Sequence, residues 1–226
     1  MNPSKVRLGN ESFLVFPSGA KTEKSDALLL YKDEVLVFIT PSIKEDFKIE
    51  AYKNSKPLFE YYSSAIVAAA YLVNKMGLPL REISFEAPNG KIEITDTGSG
   101  VFALEIEKCK LLFSKTEDTR GCKIESYTFS FLNEFKVFIS KNREFFSLDV
   151  LREISFIGDR AAPCIVLFEN GEEELLYSPL KEEATSFFAS LFRAYFFDEN
   201  APLSDGDLSF AFSYNSVAAR AKPIIN

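Results

Sequence analysis

The strongest pattern of apolar positions in the chain is the run Ala65-Ile66-Val67-Ala68-Ala69-Ala70-Tyr71-Leu72-Val73, apolar on nearly every side of a helix. A helix without a polar face is one enclosed by other elements. Ser63 or Ser64 ahead of it is suited to be the N-cap, and Gly77 after Lys75 and Met76 is suited to stop it. After the helix the period changes. Ile83-Ser84-Phe85-Glu86-Ala87 alternates as a strand does, and Pro88-Asn89-Gly90 turns the chain into a second strand, Lys91-Ile92-Glu93-Ile94. Gly98-Ser99-Gly100 makes the next turn, into a strand over residues 101–106. This stretch reads as helix, strand, strand, strand.

A similar plan returns near the C-terminus. Residues 184–197 form a second mostly apolar helix, ended by Asp198-Glu199-Asn200-Ala201-Pro202. Residues 208–214 then alternate as a strand, and residues 217–225 supply one more. Ahead of the first helix, residues 13–16 and 35–39 read as strands, and residues 135–139 and 164–168 are their counterparts ahead of the second. The helix starts are about 120 residues apart, which predicts an internal duplication. The expected architecture is α+β: two pseudo-symmetric halves, each a mixed, mostly antiparallel sheet wrapped around a central apolar helix. The first half spans residues 1–108 and the second residues 109–216, with the terminal strand 217–226 returning to the first. A cleft between the halves, at the two helix starts, is the expected place for a small-molecule ligand.

Composition narrows the chemistry. The 226 residues include no histidine, which removes His-based triads, His metal ligands and the commonest general base near neutral pH. Cys109, Cys122 and Cys164 lack metal-binding spacing and read as reduced core residues, so neither a metal nor another cofactor is expected. The net charge is −7 and the basic residues are scattered, so no nucleic-acid partner is expected. No apolar run reaches the ~18 residues of a membrane span, and the N-terminus has no signal-peptide pattern, which makes cytoplasm the expected location. Oligomeric state is not encoded in any pattern of this kind.

The stretch from residue 63 to 94, SSAIVAAAYLVNKMGLPLREISFEAPNGKIEI, resembles the first core helix and following strands of the diaminopimelate epimerase family. RLGNESFLVFP at residues 7–17 and VAARAKPIIN at residues 217–226 are weaker echoes of the same family. The resemblance implies a mechanism in which a cysteine at each helix start serves as base or acid on opposite faces of the substrate α-carbon, while helix N–H groups hold the substrate carboxylate. This chain departs from it at both places. Tyr62-Ser63-Ser64-Ala65 stands where the first Cys-Gly-Asn-Gly belongs, and Lys181-Glu182-Glu183-Ala184 where the second Cys-Gly-Thr-Gly belongs. A phenol is a poor base for this chemistry, and acidic residues repel an incoming carboxylate. The Asn-Pro-His element expected before the second-half strand is replaced by Ala161-Ala162-Pro163.

The chain is therefore expected to be a catalytically inactive, epimerase-like binding or scaffold protein, with Tyr62, Lys181 and Glu182 as degenerate catalytic positions. Asn10, Ser63 and Ser64 are candidate ligand-binding residues; a turn explains Asn10 as easily, and helix capping explains the serines more simply. The competing expectation is a cofactor-independent isomerase resembling the phenazine-biosynthesis branch of this fold. That branch uses a glutamate, for which Glu60 stands nearest, and Ser64 replaces its histidine. A third expectation is an assembly subunit with an exposed aromatic surface, although most of the 23 phenylalanines should be core.

Overall fold

The computed structural model describes residues 2–8, 11–58, 60–79, 81–98, 100–106, 110–131, 133–141, 143–169, 174–177, 192, 196–197, 208–213 and 216–223. In the first part of the chain, β1 (Ser4–Leu8) and β2 (Glu11–Phe16) are followed by α1 (Lys24–Leu30) and β3 (Val35–Pro41). Next come β4 (Phe47–Lys53), β5 (Lys56–Pro57), α2 (Tyr62–Met76), β6 (Glu82–Ala87), β7 (Gly90–Gly98) and β8 (Val101–Ile106). The later part contains β9 (Lys110–Thr119), β10 (Cys122–Phe131), β11 (Asn133–Ser140), α3 (Leu148–Ile154), β12 (Phe156–Ile157) and β13 (Arg160–Ala161). The series ends with β14 (Cys164–Phe168), β15 (Glu174–Tyr177), β16 (Leu208–Ser213) and β17 (Ser216–Pro223).

These strands form a ten-stranded sheet in the order β1-β2-β3-β4-β6-β7-β8-β16-β17, with β5 paired to β4, and a five-stranded sheet in the order β15-β14-β11-β10-β9. The C-terminal hairpin β16–β17 thus joins the large sheet beside β8. Of the expected 184–197 helix, residues 192, 196 and 197 are described, and all three are helical.

β2 and β3 are apolar without alternation because both of their faces are covered, as is usual for parallel pairs. Phe13, Val15, Val35 and Val37 face the core around α2, while Leu14, Phe16, Leu36 and Phe38 pack with Ala27 of α1. β11 and β14 repeat this arrangement. They too are parallel, and Phe138, Cys164, Val166 and Phe168 pack with Val150, Leu151 and Ile154 of α3, while Phe135, Val137, Ile165 and Leu167 belong to the cluster that includes α2.

Helix α2 lies against β1, β2, β3, β4, β7 and β8, and residues 63–72 are all buried. This is the enclosure that its apolar sequence predicted. Gly77 ends the helix in the left-handed region at φ 67°, its N–H donating to the Val73 carbonyl at 3.1 Å while Leu78 N–H donates to Leu72 at 3.2 Å. The expected start needs correction. The N-cap is Tyr61, whose side chain makes no capping bond, and Ser63 and Ser64 sit inside the first turn. The cysteine expectation is also corrected in part: Cys164 is buried in the core, Cys122 is half-exposed beside the β9–β10 turn, and Cys109 lies outside the described residues.

One junction in the large sheet is thin. The parallel neighbours β4 and β6 pair only at Phe47–Phe85 and Lys48–Glu86. Side chains reinforce it: the Asp46 carboxylate accepts the Ser84 N–H at 2.8 Å and its hydroxyl at 2.7 Å, and Ser42 Oγ donates to Glu86 at 2.7 Å. No described helix is long and apolar enough to cross a membrane.

Candidate functional site

The start of α2 is organised by the residue two places before its first turn. Glu60 is fully buried, carried there by the chain leaving β5 past the buried Leu58. Its Oε2 accepts the Ser63 backbone N–H at 3.0 Å, and its Oε1 accepts the Ser63 hydroxyl at 2.5 Å. The first N–H groups of a helix have no partner within it, so this carboxylate supplies what the serines were expected to supply.

Burial raises the Glu60 carboxyl to about 7, against the pull of the Ser63 and Tyr62 hydrogen bonds and with a push from the nearby Glu11 charge. Glu11 itself is paired with Lys53 at 3.7 Å. Ser64 is fully buried, and its hydroxyl has no hydrogen-bond partner among the described residues.

The two tyrosines separate. Tyr61 is buried, its phenol pushed up to about 12 by burial and then by Tyr52, Glu50 and Glu60. Lys24 anchors this neighbourhood, its ammonium donating to Glu50 at 2.5 Å and to the Tyr52 hydroxyl at 2.7 Å. Tyr62 is half-buried and lines a cavity of about 610 Å³ together with Asp46, Glu82, Ser84, Lys91 and Glu93. Tyr62 thus borders an open space.

Among the expected site residues, Glu60, Tyr62, Ser63 and Ser64 meet at this helix start. Asn10, Lys181, Glu182 and Glu183 lie outside the described residues, and so does any cleft that the second helix start would form with the first. The cavity residues of β6 and β7 were not foreseen. In sequence Ser84, Lys91 and Glu93 are ordinary outward positions of an alternating hairpin, and nothing there signals that Asp46 and Tyr62 close around them. Among the described residues no group of three or more Cys, Asp or Glu side chains is placed to hold a metal ion.

A carboxyl with a pKa near neutrality has the acidity of a general acid or base. Here, however, both oxygens are committed to Ser63, and the side chain is sealed from solvent. The helix N-terminus, a natural seat for an anion, is already filled by a carboxyl group of the chain's own.

No protein-family model and no curated protein sequence matches the chain. Solved structures do. A phenazine biosynthesis protein of the PhzF family from Enterococcus faecalis aligns with a TM-score of 0.63 at 12% identity, over 99% of this chain and 100% of that one. A PhzC/PhzF protein from Clostridium difficile gives 0.59 at 9% identity, covering 95% of this chain and 92% of that one. A probable proline racemase from Agrobacterium radiobacter, solved with bound carbonate, gives 0.58 at 10% identity, over 97% and 82% of the two chains. The chain therefore has the mixed-sheet, diaminopimelate epimerase-like fold that these PhzF-family and proline racemase structures share.

Proposed function

We propose that this protein is a catalytically inactive member of the isomerase fold that serves as a binding or scaffold protein, without amino-acid epimerase activity. The observation that carries this reading is Glu60. It occupies the α2 N-terminus with its own carboxylate, where the resemblance places the carboxylate of a substrate. A second anion brought to the same place would find the Ser63 N–H and hydroxyl already taken. Tyr62, in the position of the first expected cysteine, has neither the acidity nor the size of a thiol.

Deuterium exchange at the α-carbon tests it directly. Incubated in D2O with a panel of amino acids and with proline and hydroxyproline, the protein is expected to leave every α-proton in place. Exchange that is lost in Tyr62→Phe or Glu182→Gln would overturn the reading.

One observation favours a second reading, an isomerase of the phenazine-biosynthesis-like branch acting on a small metabolite through a carboxylate. Burial brings the Glu60 carboxyl to about 7, where it can both take and give a proton. On that reading a substrate must displace Ser63 from the carboxylate. Isotope exchange into an unsaturated hydroxy acid, abolished by Glu60→Gln, would favour it over the first.

The reading of two duplicated halves, residues 1–108 and 109–216 with the strand 217–226 returning to the first, is part of the same proposal, although β16 also pairs with β8 in the large sheet. Its support is the matched order β1-β2-β3-β4 and β10-β11-β14-β15. In each set the neighbours run antiparallel, parallel and antiparallel, with a seven-residue helix inside the parallel crossover. In the second half Phe192 stacks on Phe135 at 5.3 Å and packs against Phe129 at 5.0 Å, as a central helix would.

A further inference from the structure

We infer that β9 is an interaction surface for a second copy of this chain, the two β9 strands pairing antiparallel about a two-fold axis at Thr116. The inference goes beyond the binding reading above by naming a partner and the residues that meet it.

β9 is ten residues long, the longest strand at a sheet edge among the described residues, and its ladder there is with β10 alone. Residues 112–116 are exposed in succession, Leu112 at 48% and Phe113 at 44%. A long edge is a template for another strand unless its length, charges or bulges forbid the pairing. β1, at the edge of the large sheet, is defended in that way: it has five residues and turns Lys5 and Arg7 to solvent.

β9 carries a bulge and a lysine too, but both are placed so that a second β9 fits. The register with β10 slips at Leu112, since Phe113 faces Thr128 and Leu111 faces Phe129. The extra residue therefore lies to one side and leaves residues 113–119 regular. Lys115 stands within that regular stretch, 3.3 Å from Glu117 on the same strand. Setting Thr116 opposite its own copy sets Lys115 opposite the partner subunit's Glu117, Ser114 opposite the partner's Asp118 and Phe113 opposite the partner's Thr119. Each pairing occurs twice. Opposite charges across a ladder stabilise it, and like charges oppose it. Centring the pair on Lys115 or on Glu117 instead would set like charges against each other, so charge selects the register as well as the partner.

Seven paired residues fall short of the roughly 800 Å² per partner of a stable interface, so the dimer is a weak one, with a dissociation constant on the order of 10–100 µM. Sedimentation velocity of the full chain from about 1 to about 500 µM is expected to show a reversible monomer–dimer equilibrium. Thr116→Lys, an exposed change that opposes two ammonium groups at the axis, should weaken association at least about tenfold. Oxidised glutathione is expected to crosslink Thr116→Cys, whose two Cα atoms would stand about 4.5–5.5 Å apart. It should leave Ser114→Cys uncrosslinked, because those Cα atoms would be roughly 13 Å apart. The parent chain, with Cys109, Cys122 and Cys164, sets the background.

A monomer at every concentration, a dimer that Thr116→Lys leaves at the parent affinity, or equal crosslinking at the two positions would overturn the inference. If Thr116→Lys does not fold, as judged by circular dichroism, Lys115→Glu decides, since it makes both Lys115–Glu117 pairings like-charged. α-Proton exchange would defeat the inactive-protein reading and leave the dimer standing. A monomeric chain without exchange would do the reverse.

Discussion

The carboxylate of Glu60 closes on Ser63 from both sides, taking its backbone N–H at 3.0 Å and its hydroxyl at 2.5 Å within a fully buried space. The contact satisfies the first turn of the most enclosed helix among the described residues and puts an ionisable group inside the core. Stability should therefore depend on pH through this residue.

The sign follows from the raised pKa. Between about 4.5 and about 7 the folded protein holds a proton on Glu60 that the unfolded chain has released. The stabilisation is fully present below about pH 4.5 and is lost as pH rises through about 7. Glu60→Gln keeps an acceptor for the Ser63 N–H and removes the charge. Urea melts at pH 5 and pH 8 are expected to differ less in this variant than in the parent, by about 1–3 kcal/mol. An unchanged difference would place the pH dependence elsewhere.

Ser63→Ala removes the hydroxyl bond and leaves the backbone one. The expected loss is about 1–2 kcal/mol, with a further rise in the Glu60 pKa because one of the bonds that favour the charged form is gone. Carboxyl carbon chemical shifts followed through pH 4–9 would report the second effect independently of the first.

Lys136 should behave as a structural clamp. It is 1% exposed, and its ammonium donates to Glu117 at 2.8 Å, to the Ile154 carbonyl at 2.6 Å and to the Phe156 carbonyl at 3.1 Å. Burial pulls its pKa down, yet three acceptors account for its three donors. Lys136→Met is expected to destabilise by about 3–5 kcal/mol, because Glu117 loses its buried partner and the end of α3 loses its donor. In the double variant with Glu117→Leu the loss should be smaller than the sum of the two, as denaturation curves would show.

Gly77→Ala isolates a backbone effect. An added Cβ would meet nothing within 4 Å, so packing is unaffected, while φ 67° disfavours any L side chain. The expected destabilisation is about 1 kcal/mol, read from the thermal midpoint.

The enclosed helix, its glycine stop and the hairpins of β6, β7 and β8 were legible in sequence because each rests on a local rule of period or turn chemistry. Helices α1 and α3 were not. Each has seven residues and is held by strands that are apolar on both faces, and a pattern of short range does not reveal that second layer. The β9–β10 hairpin also escaped. β9 lies at the edge of its sheet among the described residues and is largely polar, and its two-residue turn places Arg120 at φ 53°, where Asn or Asp is the usual signal. At the site, Ser63 and Ser64 carried the local signature of a cap. Glu60 took the role because burial sends its side chain back toward the helix, a tertiary cause.

The thin pairing of β4 with β6 divides the large sheet mechanically. A sheet spreads cooperativity through its ladder, and a ladder of two residue pairs transmits little. Slow hydrogen exchange should therefore sort the amides on either side of this line into separate opening units, joined mainly by Asp46–Ser84 and Ser42–Glu86. The strands β6, β7 and β8 would then breathe as a group without unfolding the enclosed helix.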